Sequence, residues 1–366
     1  MPGYWKNEKV NGDKYTWEYD WNKDNNQKTV LIKCVKKAGS EAIVEGFSNS
    51  PPYFMTNSGC STGNFDANKD NLKSNAVTPF AQYLADVTEY YSTQVGITFQ
   101  SISPMNEPYT NFWGANSQKQ EGCHFDQGNS QSNIIVALRK ALDQKGLKDV
   151  QISASDETSI DTQIDSYKKL SQEAKNSITR IDTHTYAGGK REELKNLAIS
   201  EKKNLWMSEV DSGTTEGENS GEMGSGLWLA NRMIWDLNLL RSSSWILWQV
   251  IDNHISKVGY NGRQDKGMVN VNGGFWGLAV ADHDNNKIIL TQKYYAMGQL
   301  TRYIRPGYTI ISCNNAISVA AYDSEGKKLI VVATNKTGGK RTIDVDMSQF
   351  TKVGDAVKVI RTSGGI

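Results

Sequence analysis

The stretch Gly96-Ile97-Thr98-Phe99-Gln100-Ser101-Ile102-Ser103-Pro104-Met105-Asn106-Glu107-Pro108 decides how the chain is read. Ile97, Phe99 and Ile102 supply the apolar positions of a short β-prone run, and Pro104 and Pro108 bracket the three residues after it. This pattern predicts a buried strand that ends by delivering an amide and a carboxylate, Asn106 and Glu107, to an open rim. Further along, Asn204-Leu205-Trp206-Met207-Ser208-Glu209-Val210-Asp211 repeats the arrangement, with Glu209 in the terminal place.

Outward from these two stretches, helical and strand patterns alternate. A helix over 25–38 stops at Gly39 and precedes a strand at 42–47, which opens into Ser48-Asn49-Ser50-Pro51-Pro52. Thr78 as cap and Pro79 in the first turn start a helix over 79–92, ahead of the strand 97–103. A helix over 131–145, stopped by Gly146, precedes the strand 150–154 and its Asp156-Glu157. Helices over 161–174, 190–200 and 222–241 precede strands at 178–183, 204–208 and 244–247. Those strands end at His184-Thr185-Tyr186, at Glu209 and at Trp248-Gln249, and a last helix spans 291–304. Short apolar strands alternating with longer helices imply a parallel sheet. Polar and aromatic residues collect just after each strand, where barrel enzymes build their active sites.

The expected fold class is therefore α/β, a (β/α)8-type TIM barrel. Six strands are legible where closure takes eight. Residues 1–24 read as irregular and aromatic, too short for two β/α units of roughly 30 residues each. The first two units are accordingly read as absent. From Tyr308 the period shortens, and 310–313, 317–322, 329–334, 342–347 and 357–362 read as strands between Gly and Asp/Asn turns. The expected domains are a catalytic barrel over 1–306 and a small all-β, sandwich-like domain over 307–366.

With a net charge of +1 and interspersed signs, the chain offers no field for nucleic acid or anionic membrane. No apolar run approaches the ~18 residues of a membrane helix, and residues 1–20 lack a signal peptide's apolar segment. Ten Trp and sixteen Tyr exceed ordinary core needs; stacking on sugars is one use for them, and filling a large core is the other. The four cysteines have no metal spacing, and no metal or cofactor is expected. Cys34, on an apolar helical face, and Cys313, in a strand run, read as core residues. Cys60 and Cys123 sit in loops after two different strands; either they form a disulfide, which implies an oxidising compartment, or they are free.

Retaining cleavage of a glycosidic bond needs two carboxyl groups about 5–5.5 Å apart, one acid/base and one nucleophile. Counted back from the last strand, Glu107 ends the fourth barrel strand and Glu209 the seventh, on opposite sides of the mouth. The segments Asn106-Glu107-Pro108 and Trp206-Met207-Ser208-Glu209-Val210 resemble those of clan A glycoside hydrolases. More narrowly, the chain resembles family 30. Phe47-Ser48-Asn49-Ser50-Pro51-Pro52-Tyr53-Phe54-Met55-Thr56 is similar to that family's loop after the third strand. Gln120-Glu121-Gly122-Cys123-His124-Phe125, Ser153-Ala154-Ser155-Asp156-Glu157 and Asp182-Thr183-His184-Thr185-Tyr186 are similar to its endo-β-1,6-galactanase branch.

The resemblance spans about residues 1–310 and implies a retaining hydrolase of β-linked polysaccharide, with galactan the expected substrate. It makes Glu107 the acid/base and Glu209 the nucleophile of a secreted enzyme, read here as a monomer. β-1,6-Glucan or xylan as substrate, or a carbohydrate-binding relative without catalysis, are the alternatives. A metal hydrolase using Asp156, Glu157, His184 and Glu209 lacks the paired-histidine spacing of such sites. The resemblance also places residues 1–5 after the second barrel strand. An Arg that the family carries there would be missing, and poor folding or inactivity is the expectation.

Other rim residues carry weaker readings. Asn106 is expected to donate its amide to a substrate hydroxyl, and Asn49 to bind another. Tyr186 either hydrogen-bonds the nucleophile or packs in the core, and His184 is either a substrate ligand or structural. Trp248 suits a platform beneath the sugar. Glu157 either pairs within the protein or binds a hydroxyl. Trp113 and His124 lie in the long loop after the fourth strand, where outer sugar subsites are expected, and Trp206 is expected to pack behind the nucleophile.

Overall fold

A computed structural model describes residues 3–212, 223–257 and 276–364. The chain starts with an antiparallel hairpin, β1 (Trp5–Asn11) and β2 (Lys14–Tyr19), so residues 1–24 are not irregular as expected. Alternation in β2 turns Tyr15, Trp17 and Tyr19 away from the exposed face. The helix α1 (Asn25–Ala38) follows and buries none of its residues, so Cys34 is exposed rather than in the core.

The β/α alternation then runs much as expected: β3 (Glu45–Phe47), α2 (Val77–Tyr90), β4 (Ser101–Ser103), α3 (Asn129–Gln144), β5 (Gln151–Ser159), α4 (Ile160–Lys169), α5 (Gln172–Ser177), β6 (Arg180–Ala187), α6 (Arg191–Ser200), β7 (Asn204–Glu209), α7 (Met223–Leu239) and β8 (Ser244–Trp245). These strands form one six-stranded sheet in sequence order, β3-β4-β5-β6-β7-β8, and β3 to β6 pair in parallel. The sheet with its intervening helices is the α/β barrel-type arrangement read from the sequence. Helix α3 shows the packing logic: Ile134, Ile135, Leu138 and Leu142 recur at helical spacing and are fully buried.

Two compact units divide the chain, Met1–Ser208 and Glu209–Ile366. In the second, β9 (Ile251–Ile255), β10 (Ala279–Asp282) and β11 (Lys287–Leu290) form a three-stranded sheet that the sequence reading missed. Helix α8 (Gln292–Thr301) packs on α7, and the antiparallel sheet of β12 (Thr309–Ile311), β13 (Ser318–Asp323) and β14 (Lys328–Ala333) joins them. Leu229, Met233, Ile234, Leu300, Val319 and Val332 form that core. The expected strands at 342–347 and 357–362 do not form; Val345, Val357 and Val359 stay exposed, without an apolar layer to repay pairing.

In the first unit, residues at and near the starts of the parallel strands build a polar layer. Arg180 opens β6, is buried, and donates to Asp182 through two bonds of 2.6 and 2.9 Å. It also pairs with Glu45, which accepts from Ser101 and Ser153 at 2.5 and 3.0 Å. The guanidinium lies 3.5 Å from the Trp206 ring centroid, so Trp206 serves this layer. Removing the cation would leave Asp182 buried and the half-buried Glu45 beside it without their counter-charge. Arg180→Met is expected to cost about 3–5 kcal/mol, read as a drop in thermal midpoint; an unchanged midpoint would show that the network contributes nothing.

Candidate active site

Glu107 follows β4 by a short turn in which Met105 and Asn106 are buried. Its backbone is left-handed, φ 44°, a conformation that costs a non-glycine residue ~1 kcal/mol or more. Both sides of the residue are held. Its N–H donates to the Asp156 carbonyl at 2.8 Å, and its own carbonyl accepts from the Trp113 indole at 2.9 Å and the Thr110 hydroxyl at 3.1 Å. Trp113 is thus fully buried against the Glu107 backbone, not open in the loop where outer sugar subsites are expected.

The Glu107 side chain is 6% exposed, and its Oε1 lies 3.1 Å from Nδ1 of His184. The other ring nitrogen of His184 is 3.3 Å from Oδ1 of Asp156, which accepts the Ser208 hydroxyl at 2.5 Å. A line of polar contacts therefore joins the ends of β4, β6, β5 and β7 and stops at the residue before Glu209. His184 has no accessible surface, which favours the structural reading over that of a substrate ligand. Burial pushes the Glu107 carboxyl up. The hydrogen bond and charge of His184, the Thr158 hydroxyl and the charge of Lys119 outweigh it and hold the group below its usual range.

The Glu157 side chain is wholly buried, which favours pairing within the protein over binding a sugar hydroxyl. Oε2 accepts the Tyr109 N–H at 3.0 Å, and Oε1 accepts from Ser166 at 2.6 Å and from Gln131 at 3.0 Å. The residue therefore ties β5 to the loop that carries Glu107. Burial pushes its pKa up to about 7 in spite of those donors.

Asn49 and Asn106 each present a buried side-chain oxygen without a hydrogen-bond partner among the described residues. Tyr186 is half-buried with its ring 5.8 Å from that of His184. Glu209 closes β7 and is half-buried, as is Trp248, whose N–H donates to the Val210 carbonyl at 3.1 Å. The disulfide between Cys60 and Cys123 is not formed. Cys60 Sγ lies 3.4 Å from the Asn116 side chain, and Cys123 is buried with a free thiol that burial pushes up.

His124, 3% exposed, is fixed between the Thr110 carbonyl at 2.8 Å and Asp126 at 3.1 Å. The ligand atoms of Asp70, His124 and Asp126 lie within 4.8 Å of one another. Asp70 is already committed to the Asp126 N–H at 2.5 Å and to Ser130, so the trio reads as a tie between loops rather than a metal centre. The sequence reading missed the parts played by Asp156, Thr158 and Ser208; each stands beside a quoted strand-end residue, but nothing in the sequence aims its side chain.

The parallel sheet thus presents, just after β4, a braced glutamate bonded to His184. The sequence model of O-glycosyl hydrolase family 30 matches residues 4–183, and that of glycosyl hydrolase family 59 matches residues 117–291. An endo-β-1,6-galactanase of Hypocrea rufa is 31% identical over 97% of this chain and 67% of its own length. An exo-β-1,6-galactobiohydrolase of Bifidobacterium longum subsp. longum is 25% identical over 85% of this chain and 24% of its own. The catalytic domain of family 30 xylanase C from Talaromyces cellulolyticus superposes with a TM-score of 0.66 at 19% identity, covering 89% of this chain and 70% of that one. The chain belongs to glycoside hydrolase family 30, and it is an O-glycosyl hydrolase.

Glu157 makes stability depend on pH. Folding raises its pKa from 4.5 to about 7, so the folded protein holds that proton more tightly. The stabilisation is full below the unfolded value and is lost as pH rises through the folded one, up to roughly 3 kcal/mol. The thermal midpoint of the wild type is expected to fall between about pH 5 and about pH 7.5, and Glu157→Gln to flatten that slope. Superimposable slopes would show that Glu157 does not titrate there.

Proposed function

We propose that this protein is a retaining hydrolase of β-1,6-linked galactan, with Glu107 as acid/base and Glu209 as nucleophile. The observation that carries the reading is Glu107 itself: a nearly buried carboxyl at a parallel strand end, braced through its backbone and bonded to His184. The match along nearly the whole chain to an endo-β-1,6-galactanase supports the linkage and the sugar.

In this mechanism Glu209 attacks the anomeric carbon while Glu107 protonates the departing glycosidic oxygen, giving a covalent glycosyl-enzyme. Glu107, now ionised, then takes a proton from water as that water displaces Glu209. His184 stabilises the ionised form, so it makes Glu107 a stronger proton donor in the first step. The unpartnered oxygens of Asn49 and Asn106 would accept from sugar hydroxyls, because a buried acceptor left unmatched costs ~1–3 kcal/mol. Tyr186 would hydrogen-bond the nucleophile, and Trp248 would stack beneath the cleaved sugar. A polymeric substrate does not enter cells, so we place the action outside the cell, by a monomer.

Incubation with β-1,6-galactan, β-1,6-glucan and xylan tests the substrate, with galactan expected to be cleaved fastest. Glu209→Gln is expected to abolish turnover. Glu107→Ala is expected to slow galactan cleavage by about 10²–10⁴-fold and to spare much of the rate on aryl glycosides with good leaving groups. Wild-type rates in purified Glu209→Gln, or a first-formed product of inverted configuration, would overturn the assignment. His184→Ala removes the group that holds Glu107 down, so the high-pH limb of the rate profile should move upward. An unmoved limb would show that His184 has only a structural part.

A further inference from the structure

Two residues beyond Glu209, which closes β7, the chain is held by a buried ion pair. Nζ of Lys293 lies 2.6 Å from Oδ1 of Asp211 and 2.8 Å from the Ser212 carbonyl oxygen, and both charged residues are 1% exposed. The same Oδ1 accepts the Ser212 N–H at 2.7 Å, and the other carboxylate oxygen accepts the Gly277 N–H at 2.7 Å. One residue nearer to Glu209, the carbonyl of the buried Val210 accepts the Trp248 N–H at 3.1 Å. Three separate segments therefore grip residues 210–212: the chain just after β8, Gly277, and the first turn of α8.

The pair stands against local preference. Lys293 is the second residue of α8, and a cation in the first turn opposes the helix dipole. Burial pushes its ammonium down and the Asp211 carboxyl up, and the charge of each partner opposes the shift of the other. Stability alone does not account for that cost, because a well-packed apolar pair commonly holds two elements together as firmly. An ion pair adds direction. The ammonium bonds a carboxylate and a main-chain carbonyl of adjacent residues, so it fixes how the chain is turned as well as where it lies. We propose that Lys293 and Asp211 are positioning residues for Glu209, which hold its backbone so that the carboxylate is aimed at the anomeric carbon. The proposal rests on the reading of Glu209 as nucleophile.

Labelling of the nucleophile tests this role apart from folding. The reagent is β-1,6-galactobiosyl fluoride with a second fluorine at C2 of the ring that carries the leaving fluoride. Glu209 forms an ester bond to the anomeric carbon as fluoride departs with the bonding pair, and the C2 fluorine slows hydrolysis of the adduct, which intact mass then counts. The rate constant at saturation and the final labelled fraction are read separately. Misfolded molecules lower the fraction, whereas a misplaced carboxylate lowers the rate constant of molecules that do fold. In Lys293→Met and in Asp211→Asn the rate constant is expected to fall about 10²-fold, with the half-saturating concentration unchanged. Asp211→Asn keeps the side chain's size and an accepting oxygen, so a folded variant remains where Lys293→Met misfolds. A wild-type rate constant in a folded variant, with only the labelled fraction reduced, would show a merely structural pair and overturn the proposal. A wild-type protein that takes no label would bring down the nucleophile reading, and the positioning role with it.

Discussion

Everything at the Glu107 rim depends on how the end of β5 grips its neighbour. From two consecutive residues, β5 sends the Asp156 carbonyl to the Glu107 N–H, the Asp156 carboxylate to His184 and Ser208, and the Glu157 carboxylate to the Tyr109 N–H. Asp156 itself is left-handed, φ 64°, as Glu107 is. Two such residues in contact cost free energy that isolated strands would not retain, and they persist because hydrogen bonds over-determine them. The result is a carboxyl group whose backbone is fixed before any ligand arrives. Rigid support of this kind is what the proposed acid/base role requires.

The same strand end explains why two glutamates in one neighbourhood titrate in opposite directions. Both are buried, and burial raises both. Glu107 accepts a hydrogen bond from His184 and feels its charge, and with the Thr158 hydroxyl and the charge of Lys119 these bring it below the ordinary range. Glu157 accepts three hydrogen bonds, but its direct partners are a hydroxyl, an amide and a backbone N–H, and desolvation wins. Neutral dipoles satisfy a carboxylate geometrically without replacing its lost hydration; a neighbouring cation does more. Glu107 is therefore tuned by the hydrogen bond and charge of His184, whereas Glu157 is kept as a clamp at the expense of stability toward neutral pH.

The strand ends were legible in the sequence because each rests on local signals: a β-prone run, a proline or polar stop, and a helix on either side. Glu107 and Glu209 stand just after β4 and at the end of β7 as expected, and the six sheet strands fall close to their expected places. What failed was any reading that needed the path of a loop. Trp113 and Phe112 are adjacent, but only the fold decides that Trp113 turns inward to the Glu107 carbonyl while Phe112 stays out. Glu157 looks like rim chemistry by position and is interior by packing. The hairpin at the start of the chain was missed because its aromatic alternation was taken for irregular structure. Of the two readings of Cys60 and Cys123 the free one holds, because neighbouring loops do not by themselves bring two thiols together.

The aromatic surplus has two separate destinations, and the division bears on sugar binding. Near the start of the chain the rings pack on one another: Trp21 stacks on Tyr90 at 3.9 Å, Trp17 and Tyr19 approach Tyr83, and Tyr4 shares a hydroxyl bond of 2.7 Å with Tyr91. These rings fasten the hairpin to α2 and the residues just after it, and they are not free to meet a ligand. An aromatic can serve as a stacking face only where the backbone beneath it is fixed and its own ring is left open. The Tyr109–Phe112 segment meets both conditions, because Glu157 and Glu107 immobilise its backbone while two of its rings remain exposed. The hydrogen bonds that tie this segment to Glu157 and to the Glu107 carbonyl thus also fix the backbone beneath its two exposed rings.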